Sequence, residues 1–568
     1  MSDILQDSPW FQRTRDLTLQ LVHTPSVNGT PDETAFAQHL HNLLAALPYF
    51  RQHPQHLRVV QTMHDPHERY NVFALVHGRG ARTVLLSGHF DVVNTDNYGD
   101  LQTVATQPEA LLPRLIERLH SSQNASDLRA LHELQSGDWM PGRGALDMKS
   151  GLAAGIAVLE RFAQDPNREG NLLFVATPDE EATSQGMRSA VLALPQLAEA
   201  WGLSIEAAIN LDSGVDEGEG MEGRAVYLGS VGKLLPSVYF VGRPTHAGAP
   251  FDGINAALLA AELTRLVEGN VEAGDASPDA AASPDAAASP RAVAPPPVAL
   301  YQTDRRGAYD VTTAATAWCA FNMLTYWRSP EQVLTQMTTL TQQALTNAVA
   351  LWRERAQRYG VASGMPVRDH QWQPQVLTYA QLRERAFSMG GADGQQRWHA
   401  LAQQLSQERS LDTITISQRL IDALVQIAHI EGPAAIVNFA SLYYPRVELD
   451  DSTRGQRLRR AALQAVGALA TQVPGGIQVR PFFPGISDMS FLACRDKAGE
   501  LAAMIANTPA WGTRLQFDFN VPAALDLPVI NVGPYGRDYH QPTERVHMPY
   551  SFGIAPELVW RIATAVLA

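Results

Sequence analysis

The chain contains little cysteine and no excess of positive charge. Only two of its 568 residues are cysteine, Cys319 and Cys494, which is too few for a disulfide framework and lacks the CxxC spacing of a thiolate zinc site. Lys and Arg number 44 against 58 Asp and Glu, a formal net charge of −14. This charge argues against nucleic acids and anionic membrane surfaces as partners, and the scarcity of cysteine favours a reducing compartment.

Long apolar stretches are also missing. The opening residues, MSDILQDSPWFQRTRD, contain no basic segment followed by an apolar one, and no uninterrupted apolar run reaches about 18 residues. We therefore predict a cytoplasmic protein that does not enter the membrane. The hydrophobic share of 45% permits a sizeable core, and the length suggests about two to four domains.

One segment differs in composition from the rest of the chain. Residues 273–297 read AGDASPDAAASPDAAASPRAVAPPP, and such small side chains and prolines predict a disordered surface loop. Elsewhere apolar β-rich runs alternate with helical stretches, which predicts an α/β fold with a mostly parallel sheet. Residues 235–380 are interpreted as a smaller α+β insertion, so that residues 1–234 and 381–568 form a discontinuous main domain.

Histidine and carboxylate residues stand where the predicted strands end. The strand-like runs are TVLLSGHFDVV, NLLFVATPDEE and EAAINLDSG, while GRGALDMK precedes a helix and GPYGRDYH follows the last strand. Because ligands of open α/β sheets bind outside the carboxyl ends of the strands, we expect these side chains to converge on one crevice. The candidates are His89, Asp91, Asp147, Glu180, Glu181, Asp212 and His540.

Two histidines and three carboxylates suit one or two borderline divalent ions such as zinc, with positions left open for water. If Asp147 bridges, five residues can hold two ions, and three carboxylates with a bridging hydroxide neutralise the four positive charges. A bound ion lowers the pKa of water to about 7 and so creates a nucleophile. Glu180 is then the spare carboxylate, in the position of a general base, and Asp91 is expected to accept the imidazole N–H of His89 that faces away from the metal.

These segments resemble the acetylornithine deacetylase and succinyl-diaminopimelate desuccinylase family of co-catalytic zinc metallopeptidases, which also holds aminoacylases and glutamate carboxypeptidases. SGHFDVV, GRGALDMKSGLAA, TPDEE and NLDSG resemble its signatures in order, and His540 with Glu544 resembles its final His-x-x-x-Glu. The layout, with GSVGKLLPSVYFVG and HQPTERVHMPYS, is most similar to the branch named for arginine utilisation. One departure is a long insertion at residues 96–138 with its own helical LLPRLIERLH.

The resemblance implies a role for each matched position. Asp147 bridges two ions, Glu180 is the general base, Asp91 supports catalysis behind His89, and His246 in GRPTHAGAPFDGINAA stabilises the oxyanion. The implied metal ligands are His89, Asp147, Glu181, Asp212 and His540.

The implied activity is hydrolysis of an amide or peptide bond in a small substrate, an N-acyl amino acid or a short peptide, by a metal-bound hydroxide. The resemblance further implies two divalent ions, zinc first and manganese or cobalt next, and a homodimer in which the inserted domain serves as lid and dimerisation domain. A metal-binding regulatory or scaffold protein on the same fold is the alternative. Glu180, which a purely structural metal site does not need, favours the enzyme.

Several assignments have alternatives. His547 competes with His540, although the position after a strand and the spacing to Glu544 favour His540. His246 could cap a turn before a predicted helix. Ser487 and Asp488, in PGISDMSF, lie in a segment that resembles the family's Gly-x-Thr-Asp and are candidates for binding a substrate carboxylate, while the simpler alternative is a turn and helix cap before SFLAC.

Overall fold

The structure is a computed structural model that describes residues 8–214, 224–275, 294–305, 309–368 and 370–568. Its strands are β1 Leu57–Gln61, β2 Tyr70–Val76, β3 Arg79–His89, β4 Trp139–Pro141, β5 Glu169–Thr177, β6 Ser204–Asn210, β7 Ala225–Tyr227, β8 Gly229–Ser230, β9 Gly232–Leu234, β10 Pro236–Val241, β11 Val298–Thr303, β12 Thr316–Thr325, β13 Gln375–Thr378, β14 Ala434–Phe439, β15 Val447–Glu448, β16 Gln478–Arg480, β17 Val529–Asn531, β18 Gly536–Arg537 and β19 Arg545–His547. Its α-helices are α1 Phe11–Val22, α2 Pro31–Ala45, α3 Pro48–Gln52, α4 Pro108–Leu119, α5 Ala125–Gln135, α6 Ser150–Gln164, α7 Gln185–Trp201, α8 Ala256–Val267, α9 Pro330–Ser363, α10 Tyr379–Gln407, α11 Thr413–Ile427, α12 Thr453–Leu469, α13 Ala498–Ala506, α14 Asn520–Leu525 and α15 Ala555–Leu567.

The chain divides into two compact units. The first consists of Met1–Ser230, Arg446–Arg495 and Asp518–Ala568, and the second of Val231–Pro445 and Asp496–Phe517. The second unit is longer than the expected 235–380, because strand β14 pairs with β10 of this unit. The helices α10 and α11 precede β14 in the chain and belong to the same unit. Residues 381–445 therefore belong to the second unit.

The first unit contains an eight-stranded sheet of described residues in the order β1-β2-β5-β3-β6-β17-β7-β16. Its centre, β5-β3-β6-β17, is parallel, while β1, β2 and the contact of β17 with β7 are antiparallel. The apolar runs of β5 and β3 are buried because helices such as α6 and α15 cover the sheet. The expected α/β architecture with an inserted α+β unit is confirmed.

Helix α6 lies unusually close to the end of β6. A Cβ atom at Gly151 would lie 2.0 Å from the backbone oxygen of Leu211, so that only glycine allows this approach. The helix begins three residues after Asp147 and the strand ends two residues before Asp212. The small residues of GLAAG therefore bring two acidic segments together.

The second unit contains a six-stranded sheet of described residues. Its order is β11-β12-β10-β14-β13, and β9 also pairs with β12. All its pairings are antiparallel except that of β13 with β14. Helix α9 packs against α8 and against the sheet. No helix in the described ranges of either unit has the length and apolar character needed to cross a bilayer.

Most of the segment predicted as a disordered loop lies outside the described residues, but its two ends are described. Ala273, Asp275 and Ala294 are buried, so the expectation of a surface segment does not hold there. The carboxylate of Asp275 accepts hydrogen bonds of 2.7, 2.7 and 2.8 Å from the backbone N–H groups of residues 326, 327 and 328. The physical reason is local, because these amides lie between β12 and α9 and need an acceptor.

We expect Asp275→Ala to lower the free energy of unfolding by about 1–3 kcal/mol, because it leaves three amides without their acceptor. Urea denaturation of the full-length protein measures the change. Glu272→Ala, at an exposed acidic residue three positions earlier, is the matched control and should change stability little. Equal effects of the two substitutions would contradict the role of Asp275.

Candidate metal centre

The neighbouring parallel strands β5, β3 and β6 end at the same edge of the sheet, and the residues that follow each strand lie at this edge. His89 is the last residue of β3 and pairs with Thr177, the last residue of β5. On the other side of β3, Ser87 pairs with Asn210, the last residue of β6. The acidic residues that follow β5 and β6 therefore lie beside His89.

The side chains of five predicted residues form two groups that could each hold a metal ion. In each group the ligand atoms lie within 4.8 Å of one another. The groups share Asp147, whose Oδ1 lies 3.2 Å from His89 Nε2 and whose Oδ2 lies 3.2 Å from His540 Nε2. The first group is His89, Asp147 and Asp212, and the second is Asp147, Glu181 and His540.

The imidazole of His89 fits a metal ligand. Its Nδ1 lies 3.0 Å from the backbone oxygen of Asp91, which can only accept, so the neutral ring carries its proton on Nδ1. Its Nε2 is buried and has no hydrogen-bond partner among the described residues. A buried nitrogen that makes no hydrogen bond and lies 3.2 Å from a carboxylate oxygen is the donor that a divalent cation requires.

The centre carries an excess of negative charge. Burial lowers the pKa of His540, but Asp147 and Glu181 overcome this effect and raise it to about 10. Burial raises the pKa of Glu181 to about 7, and the neighbouring Asp147 adds to this rise. For Glu180, burial raises the pKa well above its usual value, and Asp212 and Glu181 reinforce the effect. Such a site attracts cations, whose binding would displace protons from these groups.

Asp91 has a wider role than the sequence suggested. Its carboxylate lies 3.5 Å from His89 Nδ1, farther than its own backbone oxygen does. The carboxylate oxygens instead accept the backbone N–H groups of Glu180 and Glu181, each at 3.1 Å, and the side-chain amide of Asn28 at 2.9 Å. Asp91 therefore holds the loop that carries both glutamates.

A buried ionic cluster behind this loop escaped the sequence reasoning. Arg69 donates to Asp179 at 2.6 Å, to both oxygens of Glu33 at 3.1 Å and to Asp65 at 2.8 Å, and all four side chains are almost fully buried. Glu33 also accepts the backbone N–H of Asp179 at 2.9 Å. Asp179 adopts φ +70° directly before Glu180, so the cluster fixes an uncommon backbone conformation.

A second buried pair supports the segment of Asp147. Arg143 and Glu544 form an ion pair in which both side chains are 1% exposed. Glu544 Oε1 accepts the backbone N–H groups of Gly144 at 2.8 Å and Leu146 at 3.3 Å. The His-x-x-x-Glu spacing and the arginine of GRGALDMK were the signals in the sequence that could have indicated this pair.

The remaining predicted residues lie in different surroundings. Ser487 donates to Asp212 Oδ2 at 2.9 Å and accepts from Asn210 at 2.9 Å, so its hydroxyl is used within the site. Asp488 is buried and accepts from Thr177 at 2.8 Å, and burial raises its pKa to about 7. The helical turn after Ser487 has no side-chain cap, although the backbone N–H of Ser490 donates to the backbone oxygen of Ser487 at 3.0 Å, so the turn of that alternative is present and the side-chain cap is not.

The two other histidines lie elsewhere. His547, the rival of His540, is part of β19, where its ring lies 5.0 Å from that of Trp139, and it belongs to neither group of candidate ligands among the described residues. His246 lies in the second unit and is exposed, and its Nδ1 accepts the backbone N–H of Gly248 at 3.0 Å.

Known proteins resemble this chain in sequence and in fold. The sequence profile of peptidase family M20/M25/M40 matches residues 123–549. Over 558 residues the chain is 32% identical to the uncharacterized protein YqjN of Bacillus subtilis, covering 97% of this chain and 96% of that protein. Over 552 residues it is 30% identical to protein RocB of the same organism, covering 96% and 94%. A tripeptidase structure from Staphylococcus aureus shares the fold, with a TM-score of 0.51, 14% identity and 98% of each chain covered.

Histidines and carboxylates grouped at the carboxyl ends of a parallel sheet are an arrangement that suits metal-dependent hydrolases. Within that class, the chain belongs to peptidase family M20/M25/M40. It is an enzyme of the metal-dependent type that hydrolyses amide or peptide bonds. The family resemblance of the sequence motifs is confirmed, including the similarity to the branch that holds protein RocB.

We expect Arg69→Met to lower the free energy of unfolding by about 3–5 kcal/mol, because it leaves buried carboxylates without their cation. Urea denaturation measures the change. Arg79→Met is the matched control, since its ion pair with Glu169 is largely exposed and should contribute at most about 1 kcal/mol. If both variants lost the same small amount, the buried cluster would not be the support that we describe.

Proposed function

We propose that the chain hydrolyses an amide or peptide bond of a small substrate, an N-acyl amino acid or a short peptide, at a centre of two divalent ions. The observation that carries this proposal is the carboxylate of Asp147, whose two oxygens lie 3.2 Å from two different imidazoles, those of His89 and His540. A carboxylate between two nitrogen donors is suited to bridge a pair of ions.

Each ion would have its own protein ligands in addition to the shared carboxylate. We assign His89 and Asp212 to one ion and Glu181 and His540 to the other. Imidazole and carboxylate donors in these numbers suit zinc, which we propose as the native metal, while manganese and cobalt accept the same donors. When bound, the two ions would supply an activated water and polarise the scissile carbonyl.

Glu180 is the residue that we propose as general base. Its carboxylate belongs to neither ligand group, yet its Oε2 lies 3.9 Å from His89 Nε2, beside the centre. From there it would accept a proton from the attacking water and deliver it to the nitrogen that leaves. Asp91 supports this role because it binds the backbone N–H groups of both glutamates and so fixes where Glu180 stands.

Two further roles, those of His246 and Asp488, rest on the family resemblance. We propose that His246 donates a hydrogen bond to the oxygen that gains charge, within a homodimer whose inserted domain forms the dimer contact. Asp488 stays a candidate for binding a substrate carboxylate. The hydrogen bonds of Ser487 favour a different role, the orientation of Asp212.

We also propose the cytoplasm as the location of the protein, since Cys319 and Cys494 are both free thiols.

The decisive experiment combines a substrate panel with metal analysis. Purified protein is assayed against N-acyl amino acids and dipeptides while its metal content is measured. We expect about two equivalents of divalent metal and turnover on one class of substrate, both abolished by a chelator. Full metal occupancy without turnover on any amide would instead favour a metal-binding scaffold protein.

Adjacent glutamates provide a matched test of the two assigned roles. Glu180→Gln preserves shape but removes the proton acceptor, so we expect normal metal content and a turnover reduced about 10²-fold or more. Glu181→Gln removes a charged ligand and should lower metal occupancy. Kinetics and elemental analysis are read on both proteins, and retention of full metal and full activity by both variants would disprove the assignments.

His246→Ala should lower turnover about 10²-fold and leave the metal content unchanged, because it removes a hydrogen-bond donor and no ligand. Mixing this variant with Glu180→Gln tests whether the histidine acts across a dimer. Recovered activity after verified subunit exchange would support action on the partner subunit. Wild-type activity of His246→Ala would remove the proposed role.

A further inference from the structure

Residues 96–138 lie between two proposed ligands, His89 and Asp147, and have no role in the chemistry described so far. They form a short helical segment, Asp96–Val104, followed by α4 and α5. Their side chains reach two parts of the loop between β18 and β19. This loop carries His540, the one proposed ligand that is about two-fifths exposed.

The first contact is made by Asn97. Its side-chain N–H donates to the backbone oxygen of His540 at 2.8 Å, and its Oδ1 accepts from Arg143 at 3.2 Å. Arg143 donates to the same backbone oxygen at 3.2 Å. His540 adopts φ +63°, which is uncommon for a residue other than glycine, so its backbone depends on such contacts.

The second contact is made by Glu133 on α5. One carboxylate oxygen lies 3.0 Å from Nε of Arg537, at the end of β18, and the other accepts from Nε of Arg545 at 2.7 Å, at the start of β19. Arg545 is fully buried, and it also pairs with Asp538 in the loop itself. The insertion therefore binds both ends of the loop and its ligand residue.

We propose that the insertion at residues 96–138 is a brace that positions His540 for its ion. The inference rests on the proposed function, because it needs an ion at the group of Asp147, Glu181 and His540. In the other group, His89 is the last residue of strand β3, so the position of this imidazole depends less on a loop. Residues that hold a ligand from behind commonly change metal affinity 10- to 100-fold when they are replaced.

The test is the metal affinity of Asn97→Ala in the full-length enzyme. Because Asn97 is exposed, the variant should fold, and the melting temperature of the metal-free protein should stay close to that of the wild type. We expect one of the two zinc equivalents to bind about 10- to 100-fold more weakly in competition with a chromophoric chelator, and the other to be unchanged. Absorption of the cobalt-substituted protein should show the same loss of one equivalent.

Two variants show which contact matters. Asn97→Asp keeps the acceptor for Arg143 but loses the donor to His540, so it should lose affinity as Asn97→Ala does. Asn124→Ala is the matched control, because this asparagine of the same insertion caps α5 through the backbone N–H of Ser126 and does not reach the loop. It should lower stability slightly and leave both affinities unchanged.

The outcomes separate the two proposals. Two zinc equivalents of unchanged affinity in Asn97→Ala would overturn the brace and leave the proposed function intact. Equal loss of both equivalents would also overturn it, since the effect would then not belong to His540. Fewer than two equivalents in the wild type would overturn the proposed function and the brace together.

Discussion

The concentration of acidic groups in a buried position at the ends of β5, β3 and β6 is the constraint on which the first unit depends. The side chains of Asp147, Glu180, Glu181 and Asp212 are each at most 13% exposed and lie within 4 Å of one or both of the imidazoles of His89 and His540. Such a cluster must hold protons or cations, because like charges at these distances repel strongly. Divalent ions satisfy it best, since they replace several protons at once.

Around this cluster, charged side chains hold the backbone of the site loops. Asp91, Glu33 and Glu544 are buried carboxylates, and each accepts backbone N–H groups from a segment that carries a proposed ligand or base. Charge-assisted hydrogen bonds of this kind are stronger than neutral ones. Glu33 and Glu544 are in turn paired with the buried arginines Arg69 and Arg143. The loops are therefore held by ionic networks, although loops commonly are the mobile part of a fold.

The second unit is organised by a different principle. Its sheet is mostly antiparallel, and the carboxylate of Asp275 binds the turn between β12 and α9. The strand Ala434–Phe439 enters this sheet late in the chain and brings α10 and α11 into the unit. The apolar run AAIVNF fits a buried strand of either unit equally well, so its composition could not predict which sheet it joins.

Local patterns in the sequence were enough to predict the parallel strands, the residues that follow them and the family. These features depend on periodicity and on motifs a few residues long, which survive in any chain that adopts this fold. The structure alone revealed the contacts of Asn97 with His540, of Arg69 with Asp179 and of Ser487 with Asp212. Their partners are separated by 443, 110 and 275 residues, and no local pattern specifies which distant segment will lie within hydrogen-bond reach. That choice is made when the sheet and its covering helices pack, because packing decides which loops meet at the strand ends.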